Sequence, residues 1–307
     1  MPQIVVGNFA VEIGVASNAG AYGDGTVTQA NSSTITVHYP DVNVNEHYYG
    51  NFLYDGTGSL AGGTLTAYDQ VLNGQYIVQA TELSLSATQV ANAIISGNSA
   101  QLLQIVLGGN DYIFSNIYDD TIYSQGGNDT VIALDGYDFV DGGSGDDDLN
   151  GNKGADTVHG GLGSDFVRGG QGNDLVYGDD GDDLHVNGNI GDDTVRGGNG
   201  ADSVYGGQGN DLLYGDAGND YLSGDLGSDT LTGGTGADSF HLGANSGHDY
   251  VTDFSASQGD RVILDHGATY TVGQSGADTL VTLSTGEQLT LQGVTAANLP
   301  SGWIVVS

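Results

Sequence analysis

The sequence predicts an all-β protein whose centre is a right-handed parallel β-roll. A small amino-terminal antiparallel β domain with one helix and a carboxyl-terminal β-hairpin cap flank this roll. Two observations predict the roll. A nine-residue repeat keeps its phase from Val106 to His241, with one inserted residue near Asn187, and the 307 residues include 54 Gly and 39 acids. The repeat divides the chain into residues 1–105, 106–241 and 242–307.

The repeat comprises fifteen consecutive units, of which six read G-G-x-G-x-D-x-U-x, where U is a large apolar residue. Glycine at positions one, two and four permits a tight turn with inward carbonyl groups. The last three residues alternate polar, apolar and polar, which predicts a short strand with one buried side chain. The eighth position is apolar in every unit but one, where His185 stands. Two units are therefore expected to form one coil.

Aspartate occupies the sixth position of all fifteen units. Stacked coils would bring these carboxylates to about 5 Å from one another, where two charges repel by ~0.8 kcal/mol even in water. Residues 106–241 hold 26 Asp and three basic residues, so the compensating cations must come from solution. Carboxylates combined with backbone carbonyls suit Ca²⁺, whereas Mg²⁺ keeps its waters.

The predicted metal ligands are sixth-position aspartates and first-position turn glycines. They are Asp111, Asp120, Asp129, Asp138, Asp147, Asp156, Asp165, Asp174, Asp183, Asp193, Asp202, Asp211, Asp220, Asp229 and Asp238, with Gly142, Gly160, Gly169, Gly197, Gly206, Gly215, Gly224 and Gly233.

These nonapeptides resemble those of the RTX (repeats-in-toxin, haemolysin-type) proteins, whose parallel β-roll binds Ca²⁺ between successive turns through this aspartate and turn carbonyls. The resemblance covers about 136 residues directly. The first four units, residues 106–141, depart from the pattern at positions one and two and are expected to hold weak or empty sites. Roughly eight to eleven calcium ions are therefore expected.

Residues 1–105 predict a separate antiparallel β domain. Alternating apolar residues predict strands at 9–15 and 34–39, and further strands are expected at 48–54, 64–71 and 75–80. A helix is predicted between Ser86, as its cap, and Gly97, with Gln89 closing a capping box.

Residues 242–307 predict the end of the roll. Phe254 is expected to cover the end of the core, and Asp249 and Asp253 either complete a terminal metal site or lie in a solvated loop. A β-hairpin is predicted with its turn at 284–287, followed by a short helix.

The route of export is predicted from the resemblance. Residues 1–20 do not form a secretory signal, and no apolar run is long enough to span a membrane. In RTX proteins the carboxyl-terminal region carries an uncleaved type I secretion signal, which implies the type I secretion apparatus as a partner. The expected location is therefore extracellular, secreted or at the cell surface of a Gram-negative bacterium.

Composition and motifs exclude several functions. A net charge of -35 with four Lys and Arg excludes nucleic-acid binding, and the absence of Cys excludes thiol chemistry. No HExxH, G-x-S-x-G or P-loop motif occurs, and the His residues are scattered, so the protein is predicted not to be an enzyme. His159 and His241 fall on outward ninth positions, where solvated side chains are expected.

Outward seventh positions on alternate units predict a contact surface, because apolar residues recur there and Tyr177 and Tyr214 lie on the same face. These positions are Thr121, Phe139, Thr157, Leu175, Thr194, Leu212 and Thr230. The leading hypothesis is a secreted, self-associating protein that resembles RTX surface-layer and biofilm matrix proteins and forms homo-oligomers or fibre-like polymers when calcium binds. The alternative is a soluble secreted effector or adhesin that binds a host, glycan or membrane target.

Overall fold

The structure, a computed structural model, describes the strands within residues 3–86 together with residues 109–114 and 119–307. The chain forms two compact units, residues 1–116 with 123–131 and residues 117–122 with 132–307. Apart from one short 3-10 helix, all regular secondary structure of the described residues is β-strand, which confirms the predicted all-β fold class. None of the described residues forms a helix of the length and apolarity that crossing a membrane requires.

The first unit contains antiparallel strands in two sheets. Its strands are β1 (Gln3–Val6), β2 (Phe9–Glu12), β3 (Thr26–Ala30), β4 (Thr34–Tyr39), β5 (Val44–Tyr54), β6 (Leu60–Leu72), β7 (Gln75–Ser86) and β8 (Tyr112–Phe114). Strands β1 and β2 pair with each other, and β3 to β8 pair antiparallel in chain order. The antiparallel sheet expected at this end of the chain is therefore present. The helix predicted between Ser86 and Gly97 lies outside the described residues.

The repeats form short parallel strands. These are β9 (Thr121–Tyr123), β10 (Thr130–Ile132), β11 (Phe139–Ser144), β12 (Asp148–Lys153), β13 (Thr157–Leu162), β14 (Phe166–Gln171), β15 (Leu175–Asp180), β16 (His185–Ile190), β17 (Thr194–Asn199), β18 (Ser203–Gly209), β19 (Leu212–Ala217), β20 (Tyr221–Gly227), β21 (Thr230–Thr235) and β22 (Ser239–Leu242). Each strand pairs in parallel with the strand two places along the chain, so two units complete one coil.

The second unit contains two facing sheets. The even-numbered strands from β12 to β22 belong to one sheet, and the odd-numbered strands from β11 to β21 belong to the other. Between them lies a thin core of eighth-position side chains, and Val158, Val176, Leu213, Leu222 and Leu231 are all fully buried. Because successive strand residues point to opposite faces, only one side chain per unit enters this core, as the period of the sequence predicts.

The inserted residue is Leu184, which corrects the position inferred from the sequence. Strand pairing aligns His185 with Phe166 and Val186 with Val167, so Val186 and not His185 occupies the eighth position. Val186 is fully buried, whereas Leu184 is 69% exposed. Burying a valine in place of an imidazole avoids an unsatisfied polar ring in the core, and the insertion bulges outward at the edge.

The final strands extend the two sheets. They are β23 (His248–Val251), β24 (Arg261–Leu264), β25 (Tyr270–Ser275), β26 (Asp278–Leu283), β27 (Gln288–Leu291) and β28 (Ile304–Val306), with the 3-10 helix at Ala296–Asn298. Strands β26 and β27 form the predicted hairpin, and β25 adds a third antiparallel strand to it. Phe254 is almost fully buried, and its ring lies 6.0 Å from the rings of both Phe240 and Trp303. Phe254 is therefore packed at the core end, as expected, with Trp303 as a partner that the sequence did not indicate.

The fourth-position glycines from Gly154 to Gly236 have no room for a side chain. Gly218 has a φ of +150°, and a Cβ there would overlap the carbonyl oxygen of Gly200 in the preceding coil. We expect Gly218→Ala to destabilise the calcium-loaded protein by about 2 kcal/mol or more, measured by thermal or urea unfolding. Gly273→Ala is the matched control, because nothing lies within 4 Å of its Cβ position. Equal stability of the two variants would contradict this account of the turn.

Candidate metal centre

In the second unit, the sixth-position aspartates lie in two columns, one along each edge of the stacked coils. Fourteen of the fifteen are buried, and Asp120 is partly buried. Within each column the backbone N–H of one aspartate donates to Oδ1 of the aspartate one coil later. Asp147 donates to Asp165 at 2.8 Å, and Asp165 donates to Asp183 at 2.9 Å. The second column repeats this contact, with Asp156 donating to Asp174 at 2.9 Å.

The other carboxylate oxygen, Oδ2, is buried without a hydrogen-bond partner in at least ten of these aspartates. This holds for Asp138, Asp156, Asp165, Asp174, Asp183, Asp193, Asp202, Asp211, Asp220 and Asp229. An unpaired buried carboxylate oxygen is strongly unfavourable, and its regular recurrence indicates that a ligand completes the site.

The first-position glycines make room for these oxygens. A Cβ on Gly160 would lie 2.6 Å from Asp165 Oδ2 and 2.6 Å from the carbonyl oxygen of Gly178 in the next coil. The predicted glycines Gly142, Gly169, Gly197, Gly206, Gly215, Gly224 and Gly233 stand in the same relation to the aspartate five residues later. Each turn therefore keeps a side-chain-free space bordered by a carboxylate oxygen, and in several turns also by a carbonyl oxygen.

The oxygen donors of this space fit calcium. The bordering atoms are carboxylate and carbonyl oxygens, the hard donors that Ca²⁺ takes in sites with six to eight oxygen ligands. The first-position glycines and sixth-position aspartates that border these spaces bring no nitrogen or sulfur side-chain ligands, which would favour zinc or copper. Calcium held there would be bound by the sixth-position aspartates and turn carbonyls.

Burial raises the pKa of the aspartates in the columns. It raises the pKa of Asp165 and Asp202 to about 6 and of Asp183 and Asp220 to about 7, while hydrogen bonds from the backbone of the preceding aspartate lower it. The cause is desolvation, which disfavours the charged form. A bound cation would reverse this preference by compensating the buried charge.

The basic side chains of the roll do not neutralise the columns. Lys153 pairs with Asp135 at 3.0 Å, Arg168 pairs with Asp148, and Arg196 makes two bonds to Asp216 at 2.6 and 2.9 Å. These acids lie outside the sixth position. These ion pairs therefore do not engage the sixth-position carboxylates, and compensation by soluble cations stays a prediction.

Two further aspartates extend the columns beyond the repeats. Asp229 N–H donates to Asp249 Oδ1 and Asp238 N–H donates to Asp260 Oδ1, both at 3.1 Å. Asp249 is fully buried with an unpaired Oδ2, so it lies in the column and not in a solvated loop. Asp253 instead accepts the N–H groups of Gly233 and Gly234. The sequence named Asp249 as a candidate and missed Asp260, because separations of 20 and 22 residues break the 18-residue period of the columns.

The two outward histidines are paired, which corrects the expectation that they are simply solvated. His159 Nδ1 lies 2.8 Å from Asp179 Oδ2 and its ring stacks on Tyr177 at 4.4 Å. His241 Nε2 lies 3.1 Å from Asp265 Oδ1. Asp179 stands at a second position with a φ of 73°, a left-handed conformation that aspartate tolerates and that turns its carboxylate toward the neighbouring coil.

The chain matches the family model described as the RTX calcium-binding nonapeptide repeat (4 copies). The matched residues are 107–140, 125–158, 141–176, 159–184, 187–222 and 214–251.

Solved structures were also compared. The AlgE6R3 subunit of the Azotobacter vinelandii mannuronan C5-epimerase is 32% identical, with 39% of this chain and 81% of that chain covered and a TM-score of 0.32. The extracellular lipase LipA from Serratia marcescens is 20% identical, with 65% of this chain and 38% of that chain covered and a TM-score of 0.26. A search of curated protein sequences found no match.

The matched repeats coincide with the buried aspartate columns and with the glycine spaces beside them. RTX repeats bind calcium, and proteins that carry them are generally secreted. Because the motif and the oxygen-lined turns agree, this chain belongs to the family of RTX calcium-binding repeat proteins.

Proposed function

We propose that this protein is a secreted, non-enzymatic structural protein that folds on extracellular calcium and then associates with copies of itself at the cell surface or in an extracellular matrix. The observation that carries the proposal is a straight row of side chains on the outer face of the odd-numbered sheet. We call the residues Phe139, Thr157, Leu175, Thr194, Leu212 and Thr230 the Thr–Leu row.

Strand pairing places the members of the Thr–Leu row directly beside one another in successive coils. Leu175 is 41% exposed and Leu212 is 42% exposed. Threonine and leucine alternate on a regular pleated surface, so the exposed apolar groups recur at a fixed spacing. A flat, regularly spaced row suits contact with an equally regular partner, such as a second copy of the same row.

Electrostatics supports contact at this face. Copies of a chain with a net charge of -35 repel each other, so association requires a surface with compensated charge. Beside the Thr–Leu row, Asp179 is paired with His159 and Asp216 with Arg196. Arg196 also lies 4.6 Å from the centre of the Tyr214 ring.

Calcium binding would control both folding and self-association. Ions in the two columns would both stabilise the coils and remove much of the net negative charge that keeps copies apart. We infer that roughly eight to eleven ions bind, at the 10⁻⁴–10⁻³ M affinities of extracellular modules. Cytosolic calcium lies far below this range, so the repeats would remain unfolded until the type I secretion apparatus has exported the chain.

One polar cluster argues for the absence of catalysis. Ser223 Oγ lies 3.2 Å from His241 Nδ1, whose Nε2 contacts Asp265, beside a cavity of about 240 Å³. Ser223 is only 2% exposed, and its hydroxyl donates to Asp225 Oδ1 at 2.6 Å. The serine hydroxyl thus donates its hydrogen bond to a carboxylate and not to the imidazole. This arrangement suits a structural network better than a nucleophile.

We expect calcium-free protein to gain β structure and then grow into large particles as calcium is raised into the millimolar range. Circular dichroism and light scattering on the same samples would measure both steps. Leu175→Thr combined with Leu212→Thr leaves only threonine in the row from residue 157 to residue 230 and should abolish growth without moving the calcium midpoint of folding.

The opposite results have a clear meaning. A wild-type protein that folds but stays monomeric would overturn the proposal and favour a soluble effector or adhesin. Particle growth unchanged in the double variant would remove the Thr–Leu row from the contact.

A further inference from the structure

Strand β25 is a free sheet edge. It stands at the end of the odd-numbered sheet, and among the described residues it pairs only with β26. All six of its residues are exposed, including Tyr270 at 40% and Val272 at 42%. The other strands whose side chains the structure describes bury at least one residue or are only three residues long. This strand therefore contributes almost nothing to the core.

The edge carries no charged side chain, no proline and no β-bulge, although the side chain of Gln274 accepts the N–H of Ala296 in the neighbouring 3-10 helix. Soluble proteins protect such edges with charged side chains, proline or a β-bulge. Residues 267–277 contain no charged residue and no proline, although the chain carries a net charge of -35. The register of β25 with β26 runs without a shift from Tyr270 to Ser275. An uncharged edge is the kind of surface through which so acidic a chain can approach its own copy.

Hairpin geometry identifies which backbone groups face outward. The two-residue turn at 276–277 makes Ser275 and Asp278 the pair that closes the hairpin. In an antiparallel pair, hydrogen-bonded and non-hydrogen-bonded positions alternate. Tyr270, Val272 and Gln274 therefore direct their N–H and C=O groups away from β26, toward an added strand.

We propose that β25 is a strand-pairing site for β25 of a second copy of this chain. The two strands run antiparallel about a two-fold axis at Val272. This register pairs Tyr270 of one copy with Gln274 of the other, uses all three outward positions, and places no like charges opposite each other. The inference deepens the proposed self-association and rests on it, but it names a different contact from the Thr–Leu row.

The first test is Val272→Glu in the full-length, calcium-loaded protein. Two carboxylates would then meet at the two-fold axis, and the dissociation constant of the pair measured by sedimentation velocity should rise at least tenfold. Ser301→Glu is the control, because Ser301 is exposed outside the strands and the charge change is the same. Circular dichroism should give the same calcium midpoint for both variants.

A second test uses the absence of cysteine from the chain. Paired positions at the axis have Cα atoms about 5.5 Å apart, within the range of a disulfide. Val272→Cys should therefore form a covalent dimer under mild oxidation in calcium, whereas Ser301→Cys should not.

The outcomes separate the two proposals. Wild-type protein that stays monomeric in millimolar calcium would overturn both the self-association and the β25 contact. If wild type and Val272→Glu assemble equally and Val272→Cys does not cross-link, the β25 contact is wrong while self-association stands.

Discussion

Replacing Asp165, Asp174, Asp202 and Asp211 together with asparagine is expected to raise the calcium midpoint of folding by on the order of tenfold. Each of these residues points a buried, unpaired Oδ2 into an oxygen-lined turn. Two belong to each column. Asparagine keeps the shape and one oxygen, but it removes the charge that attracts the cation. Circular dichroism during a calcium titration would measure the midpoint.

A control with the same change in charge separates ligand loss from charge loss. Four acids outside the columns can be replaced with asparagine instead: Asp135, Asp148, Asp265 and Asp278. These side chains lie at the surface, where single ion pairs contribute little, so the midpoint should move by less than twofold. Equal shifts in the two quadruple variants would show that the column carboxylates are not the calcium ligands.

The second expected result is that acid folds the metal-free protein. In the folded state, burial raises the pKa of Asp156, Asp165 and Asp174 to about 6 and of Asp183 and Asp211 to about 7. In the unfolded chain these groups titrate near 3.8. The folded pKa is the higher of the two, so these groups favour folding fully below about pH 4, and the contribution is lost as pH rises through 6 to 7.

We therefore expect the β signal of dilute protein in a calcium chelator to appear as pH is lowered from 7.5 to 4. Calcium should keep the protein folded across the upper part of this range, because the bound ion compensates the buried charge. The quadruple column variant, which carries neutral amides, should fold in chelator at a higher pH than wild type, opposite to its loss of calcium affinity. A wild-type β signal in chelator that does not respond to acid would contradict the raised pKa values.

The nine-residue period was sufficient to predict the roll, its core and its aspartate columns. One apolar residue and one aspartate recur at fixed positions in every unit. Residues at the same position can have the same environment in every unit only if successive turns and strands stack. Val158, Val176 and Leu213 are consequently buried, and Asp165 and Asp202 lie at the turns, as the repeat requires. The glycine positions follow from the same stacking, since backbone of one coil touches backbone of the next.

The sequence could not place the irregular features. Both His185 and Val186 were compatible with the eighth position, and only the alignment with Val167 decided for Val186. Asp249 and Asp260 join the columns although the spacing has lengthened, because loops before each strand take up the additional residues. Trp303 meets Phe254 from more than forty positions along the chain, a distance over which no local pattern operates.

By itself, the sequence determined what repeats: the coil, the buried apolar column and the columns of carboxylates. Because the neighbours of each unit in the stack have the same pattern, the residue types of one unit also give the residue types that surround it. The tertiary structure alone decided the contacts between unlike residues, including the pairing of His159 with Asp179 and the exposed edge of β25. Those contacts depend on which faces remain after the coils have stacked, and the period carries no information about them.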